Sequence, residues 1–311
     1  MISALRWLLR RLALAVLVVL GAATVAFAAL HLAPGDPVRA VIGTLNPSQD
    51  LVDRVRVDLG LDQPLATQYG QLLGRLVTGD LGESYQLHRP VAEVIASEIG
   101  WTAQLAMASL VLALAPSVLL AVTTAGRRPA LRRLSTVLEL ITASSPTFWI
   151  GTLLLAVFSF RLRLFPAAGG DGIEGLVLPA AAQAVGLIGI FTQVLRQSME
   201  RALDEPFALS ARARGTGETA LRLRHALRHA LIPVVTLSGW ITGALFSGAV
   251  VVETVFSRPG LGRTLVTAIL GRDLPVVIGV VVVAAALFTL INLVVDLLYR
   301  VVDPRLREQA A

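Results

Sequence analysis

Residues 12–30 read LALAVLVVLGAATVAFAAL, an uncharged stretch directly after Arg6, Arg10 and Arg11. A bilayer core of about 30 Å needs about 20 apolar residues in helix, so this run is long enough to cross one. Its end, Ala26-Phe27-Ala28-Ala29, also has the small residues of a signal-peptidase site. The apolar run is longer than the ~7 to 15 residues of a signal-peptide core, which favours a retained span.

Working outward, five further apolar runs follow at residues 102–125, 135–160, 176–195, 231–256 and 275–298. The composition agrees: of 311 residues 55% are apolar and 15% charged, against roughly 25% charged in soluble domains, and the mean hydropathy is +0.73. The expected fold is therefore an all-α polytopic membrane protein with six transmembrane helices. Pro116, Pro146, Pro179 and Pro233 fall inside or at the ends of these runs. Prolines are tolerated there when neighbouring helices or water satisfy the freed carbonyls.

All 27 basic residues are arginine, and there is neither lysine nor cysteine. A Walker A loop needs its lysine on the phosphates, so this chain binds no ATP through a P-loop of its own. Disulfides, thiolate metal sites and thiol nucleophiles are excluded as well. The pI near 11.0 raises the question of nucleic acid, but the arginines are distributed as topology signals. They cluster before the first run, at Arg127, Arg128, Arg132 and Arg133, through residues 196–230 and in the tail after Tyr299, and these regions alternate with acidic or balanced loops. By the positive-inside rule both termini are expected in the cytoplasm. One loop departs from this alternation: Arg258, Arg263 and Arg272 stand against Asp273 on the side expected to be external.

Two extramembrane segments stand out. Residues 32–100 begin with Leu32-Ala33-Pro34-Gly35-Asp36-Pro37, which stops the first helix, and continue through amphipathic patterns at 51–59 and 65–77. The predicted organisation is thus a tail and first span (1–31), an external helical insertion (32–100) and a core of five helices (101–311). Within the segment 196–230, Asp204 is expected to cap a helix, with Glu205 complementing its dipole and Pro206 in the first turn. Gly215 and Gly217 provide stops. The result is a helix of about ten residues, too short to be stable alone in water, which implies docking onto something.

Glu205-Pro206-Phe207-Ala208-Leu209-Ser210-Ala211-Arg212-Ala213-Arg214-Gly215, followed by residues 224–233 (RHALRHALIP), resembles the EAA loop of ABC importer permeases. The spacing from Gly215 to Pro233, with His31-Leu32-Ala33-Pro34-Gly35-Asp36-Pro37, Gly79-Asp80-Leu81-Gly82-Glu83-Ser84 and Pro259-Gly260-Leu261-Gly262, is similar to the dipeptide, oligopeptide and nickel subgroup, DppB/OppB type. Pro206 beside Phe207 departs from that pattern and alters the entry turn of the short helix.

The resemblance implies a type I importer permease (MetI-like) fold in the bacterial plasma membrane. It implies partnership with a second permease of the DppC/OppC type, two cytoplasmic ATPases that carry ATP and Mg, and an external peptide-binding protein, with no cofactor held by this chain. It assigns ATPase coupling to Asp204, Glu205, Phe207, Ala211, Arg212, Ala213, Arg214 and Gly215. Phe207 and the small Ala208, Ala211 and Ala213 are expected to allow close approach to the ATPase, with Arg212 and Arg214 pairing acidic groups.

A translocation path is expected beside Ser145, Pro146, Phe148, Ser238, Thr242 and Ser247, where small residues serve helix packing equally well. Glu139, Glu253 and Asp296 are ionisable groups near membrane depth and so functional candidates, with interfacial roles as the alternative. His225 and His229 share a helix face but lack a third metal ligand. The solute is a di- or oligopeptide; nickel or another small solute is the alternative within the class. A membrane hydrolase lacks its nucleophile and base, and a secondary transporter would show inverted repeats.

Overall fold

The computed structural model describes residues 2–32, 34–42, 48–126, 129–169 and 172–302. Arg127 and Arg128 lie outside them, and the side chains of Ser238, Thr242 and Asp296 lie outside the description as well. The described chain is helical: α1 (Ile2–Leu32), α2 (Pro37–Ile42), α3 (Gln49–Asp58), α4 (Leu65–Thr78), α5 (Val91–Thr124), α6 (Pro129–Ser144), α7 (Thr147–Leu154), α8 (Glu174–Asp204), α9 (Pro206–Ala213), α10 (Glu218–Leu221), α11 (Leu227–Val255), α12 (Leu261–Leu270) and α13 (Leu274–Val302). π-helical turns at Leu155–Arg161 and Arg222–Ala226 extend α7 and lead into α11.

Among the described residues four helices, α1, α5, α8 and α13, are long and apolar enough to cross a membrane, and a fifth span arises if α6 and α7 are taken together. Burial separates their environments. Only 6% of the apolar window of α1 is buried, against 61% for α8. With so little of it covered, α1 presents apolar side chains all round, whereas α8 is enclosed by protein.

The run at 135–160, read from sequence as one span, is instead broken, with a 95° bend between α6 and the helix that follows. Pro146 is the cause. It has no N–H to continue the ladder, and it disfavours the α conformation at the residue before it. Pro146 stands extended (φ −63°, ψ 131°) and opens α7. Ser145 turns its hydroxyl back to the Ile141 carbonyl at 2.6 Å, the acceptor that a continuing helix would have served with the Ser145 N–H.

The chain forms two compact units. One is built from the residues up to Gly100 with Gly260–Leu293, the other from Trp101–Pro259 with the end of α13 from Val294. In the first, Ala23, Ala26, Leu72, Ile278 and Val282 form a core joining α1, α4 and α13. Asp36 accepts the Val38 N–H at 3.0 Å and pairs with Arg56 at 2.5 Å, setting α2 against α3. Thr24 and Tyr69 share a hydroxyl–hydroxyl bond of 2.7 Å.

In the second unit Gln183 of α8 is a hub. It accepts from Ser109 of α5 at 2.9 Å and donates to the Leu245 carbonyl of α11 at 2.5 Å. Gly248 leaves the room for that amide, since a Cβ there would lie 2.9 Å from Gln183 Nε2. Ser117, next to Pro116, donates to the Ala113 carbonyl and to Ile188 of α8.

α6 and α8 approach closely at Gly189, where a Cβ would meet the Glu139 carbonyl and come within 2.5 Å of Thr142 Oγ1 and 2.8 Å of the Ala143 nitrogen. Gly189→Val forces the two helices apart, at a cost of about 1–3 kcal/mol for overpacking, and is expected to lower the unfolding temperature of the purified protein in detergent. Gly186→Ala, whose new methyl meets only the Thr142 carbonyl at 3.9 Å, is expected not to lower it.

Candidate functional site

The segment 196–230 folds as a helix end, a short helix and a return. Asp204 closes α8 rather than capping the next helix, and Glu205 takes the N-cap in extended conformation (φ −74°, ψ 153°) with Pro206 at the first position. Proline supplies the reason: Pro206 cannot donate to the α8 ladder, so α8 ends before Glu205, and its fixed φ suits the first turn of α9. The short helix has 8 residues, not about ten. Its far end closes with Gly215 at φ +81°. There the Thr216 N–H reaches the Ala211 carbonyl at 3.1 Å and the Gly215 N–H reaches Arg212 at 2.9 Å. This is a Schellman closure, which needs a left-handed residue where Gly215 stands.

α9 has an inner and an outer face. Ala208 and Ala211 are fully buried in the core formed with Leu203, Leu221 and Ala226. Phe207 is half-buried and stacks on His229, with ring centroids 5.0 Å apart and 26° between planes, and it also meets His225 at 6.5 Å. These three side chains seat the helix on its own bundle, so the small size of Ala208 and Ala211 serves that packing instead of approach by a partner. The outer face carries Leu209, 70% exposed, with Ser210, Ala213 and Arg214. Leu209 does not stand out in the sequence, yet the signal is present: 207, 208 and 211 share a face at helical spacing, which turns 209 and 213 away from it.

Arg212 is also engaged within the chain. It donates to Glu218 at 2.7 Å and to the Leu203 carbonyl in the last turn of α8 at 3.3 Å. The hydrogen bond to Glu218 holds its guanidinium above the usual arginine value. Glu218 lies in the first turn of α10, where its charge suits the helix dipole. Beside this loop a polar cleft of ≈ 550 Å³ is lined by Arg132, Gln197, Glu200, Arg201, Asp204 and Arg212.

Between α6 and the last third of α8 lies a buried ion pair. Glu139 and Arg196 are 5% and 4% exposed and make a bidentate contact of 3.0 and 2.8 Å. Ser135 donates to the same carboxylate at 2.6 Å, and Arg196 reaches Thr136 at 3.2 Å. Glu139 therefore has a defined partner inside the protein.

The candidate path residues are less gathered. Ser145, Pro146 and Phe148 stand at the α6–α7 bend, with Phe148 56% exposed, and Ser247 is exposed on α11. Ser238 and Thr242 also belong to α11.

Two of the three arginines of the 257–274 loop, exceptional by charge, have contacts within the fold. Arg258 is buried, donates to Gln104 at 2.7 Å and to the Gly175 carbonyl at 3.2 Å, and lies 5.3 Å over the Trp101 ring. Burial pushes its proton affinity below the usual arginine value, against an opposing pull from Glu253. Glu253 is itself buried and accepts from Thr102 at 2.7 Å. Arg272 donates to the Pro34 carbonyl. The adjacent Asp273, also buried, accepts from Ser84 Oγ at 2.5 Å and from the Tyr85 and Gln86 amides at 3.2 Å.

Several membrane-length helices, charges paired within the chain and a short helix seated on the bundle define a multi-pass membrane component. Residues 117–308 match the model of the binding-protein-dependent transport system inner membrane component, and residues 4–106 match its N-terminal companion. The chain belongs to this family of ABC transporter permeases, whose members are not enzymes. It is 38% identical to a putative peptide transport system permease protein of Brucella abortus (strain 2308), over 309 residues covering 96% of this chain and 98% of that one. It is 37% identical to a glutathione transport system permease protein of Salmonella paratyphi A, over 306 residues and 97% and 99% of the two chains. A glutathione transport system permease protein of Escherichia coli is 39% identical over 285 residues, 90% and 92% of the two.

Because the chain contains no cysteine, the seating of α9 is directly testable by thiol labelling. Ala208→Cys is expected to react slowly with a maleimide and Ala213→Cys at the rate of a solvent-exposed thiol. Adding Phe207→Ala to Ala208→Cys removes the stacked ring and is expected to speed labelling at least about tenfold, equivalent to about 1.4 kcal/mol of lost seating.

Proposed function

We propose that this chain is one permease subunit of an ATP-driven importer of di- or oligopeptides, forming half of the path in a bacterial plasma membrane. The observation that carries the reading is α9, a helix anchored on its own bundle by Phe207, Ala208 and Ala211 while Leu209, Ala213 and Arg214 face outward. In this reading the outer face docks on a cytoplasmic ATPase, and Asp204, Glu205, Phe207, Ala211, Arg212 and Gly215 fix its angle and height. The peptide and glutathione permeases among its relatives support a peptide-like solute of the DppB/OppB class. Nickel or another small solute is the second reading.

The complex comprises this chain, a second permease of the DppC/OppC type, two ATPases holding ATP and Mg, and an external peptide-binding protein. Six spans with both termini cytoplasmic accommodate the arginine clusters, with α11 and the α6–α7 pair each counted once. Residues 1–31 form the tail and first span, 32–100 the external insertion and 101–311 the core. The internal partners of Arg258 and Arg272 account for basic residues on the outer side. Ser145, Pro146, Phe148, Ser238, Thr242 and Ser247 are proposed to border the path, the first three at the bend where a broken helix opens space.

A tagged chain is expected to co-purify with two ATPases and a second permease, and recovery as a lone active transporter would overturn the reading. Competition between labelled peptides and nickel in cells lacking the chain separates the two solutes. In reconstituted vesicles Leu209→Glu is expected to weaken ATPase association at least about tenfold with the fold intact.

At Gly215 no atom of this chain lies within 4 Å of the position a Cβ would take, so the effect of substitution on the chain itself is a backbone effect. Gly215→Val, disfavoured at positive φ by roughly 1–3 kcal/mol, is expected to insert normally and hydrolyse ATP without matching uptake. Gly215→Asn, which tolerates that conformation, is expected to retain coupling. Equal uptake by the valine variant would refute the role.

A further inference from the structure

The contact between α6 and α8 is a ladder. Reading along α8, Gly189 sits against the Glu139 carbonyl, the Thr142 hydroxyl and the Ala143 nitrogen of α6, Arg196 grips the Glu139 carboxylate and Thr136, and Glu200 reaches Arg132 at 3.8 Å. Residue numbers rise on one helix as they fall on the other, so the two run antiparallel. Gly189 and Arg196 are two turns apart, about 10 Å at 1.5 Å per residue, and lie on one face of α8. A single contact would act as a pivot, but two that far apart also fix the crossing angle. The charged contact is buried, bidentate and served by two hydroxyls, the geometry in which an ion pair resists separation.

The ends of this ladder matter. Beyond Arg196, α8 runs to Asp204 and directly into α9; beyond Glu139, α6 runs to the 95° bend at Ser145 and Pro146. We propose that Glu139 and Arg196 are positioning residues for transport, locking α6 to α8 so that a displacement of α9 arrives at the α6–α7 bend. This rests on the reading of α9 as the coupling helix. The ion pair touches neither solute nor ATPase in this role; it keeps two arms of one lever at a fixed angle. Without it Gly189 remains as a swivel, and motion of α8 dissipates as rotation against α6.

The cysteine-free chain permits spin labels in the assembled complex, with partner subunits stripped of reactive cysteines. Leu140→Cys with Gln193→Cys, both on exposed positions, reports the α6–α8 distance. Leu140→Cys with Phe160→Cys reports the bend. Between the nucleotide-free state and the ATP/vanadate-trapped state, the first distance is expected to stay constant and the second to change by more than about 2 Å, the scale of helix shifts in switching proteins.

Glu139→Gln is expected to broaden the first distribution and suppress the change in the second. The charge swap E139R/R196E, made together with Glu200→Gln because Glu200 lies 3.6 Å from the Arg196 guanidinium, is expected to restore both, which a loss of folding alone would not allow. Should the single variant fail to assemble, the wild-type label pairs and the swap still decide. A wild-type α6–α8 distance that shifts on trapping, an unmoved bend, a Glu139→Gln protein with unchanged distributions, or a swap that fails to restore them overturns the proposal. If Gly215→Val preserves the bend response while Glu139→Gln abolishes it, the lock stands and the coupling reading of α9 falls.

Discussion

Hydrocarbon supplies no hydrogen-bond partners, and each polar group left unserved there costs several kcal/mol. The second unit is organised around that constraint. Its helices are joined by polar side chains that satisfy one another across interfaces: Ser109, Gln183 and the Leu245 carbonyl tie α5, α8 and α11, and Glu139 with Arg196 ties α6 to α8. Association of apolar helices in lipid has little hydrophobic drive, so close packing and such bonds carry it. The glycines complete the arrangement. Gly189 and Gly248 stand where backbone or amide comes too close for a Cβ, and the polar bridges form at those same crossings.

This distribution of bonds explains why α8 dominates. It is the most enclosed of the membrane-length helices, it bears Gln183 and Arg196, and its end runs through Glu205 into α9. A helix so placed cannot shift alone. Whatever moves its end acts on α5, α6 and α11 through bonds that are costly to break, so the short outer helix and the membrane bundle are mechanically one object on that side.

The spans are legible in the sequence because 20-residue apolar runs have few alternative explanations, and α9 is legible because Pro206 and Gly215 punctuate it. The sequence pattern fails where a local rule acts inside an apolar run. Pro146 lies inside an apolar run, and only the proline with Ser144 and Ser145 before it marks the break, a signal weaker than the hydropathy on either side. Charge patterning is blind to the surroundings of Arg258 and Arg272: counting charges assumes that they are solvated, whereas these two donate to Gln104, Gly175 and Pro34 within the fold. Glu139 is conspicuous in the sequence as a charge inside an apolar run, but its partner lies 57 residues away, beyond any helical spacing rule.

The division of α9 into inner and outer faces sets a limit on what its residues can do. As the proposed docking helix, α9 would bind two bodies at once, and with 8 residues it has barely two turns to share between them. Phe207, Ala208 and Ala211 are committed to the bundle, and Arg212 is committed to Glu218 and Leu203. That leaves a compact outer patch centred on Leu209, small enough that an ATPase gripping it would have little leverage if α9 could tilt. The Schellman closure at Gly215 and the abrupt start at Pro206 remove that freedom at both ends. In the proposed reading firm seating is thus the condition for a small contact to transmit force, and the buried alanines would serve coupling as much as the leucine that faces away from them.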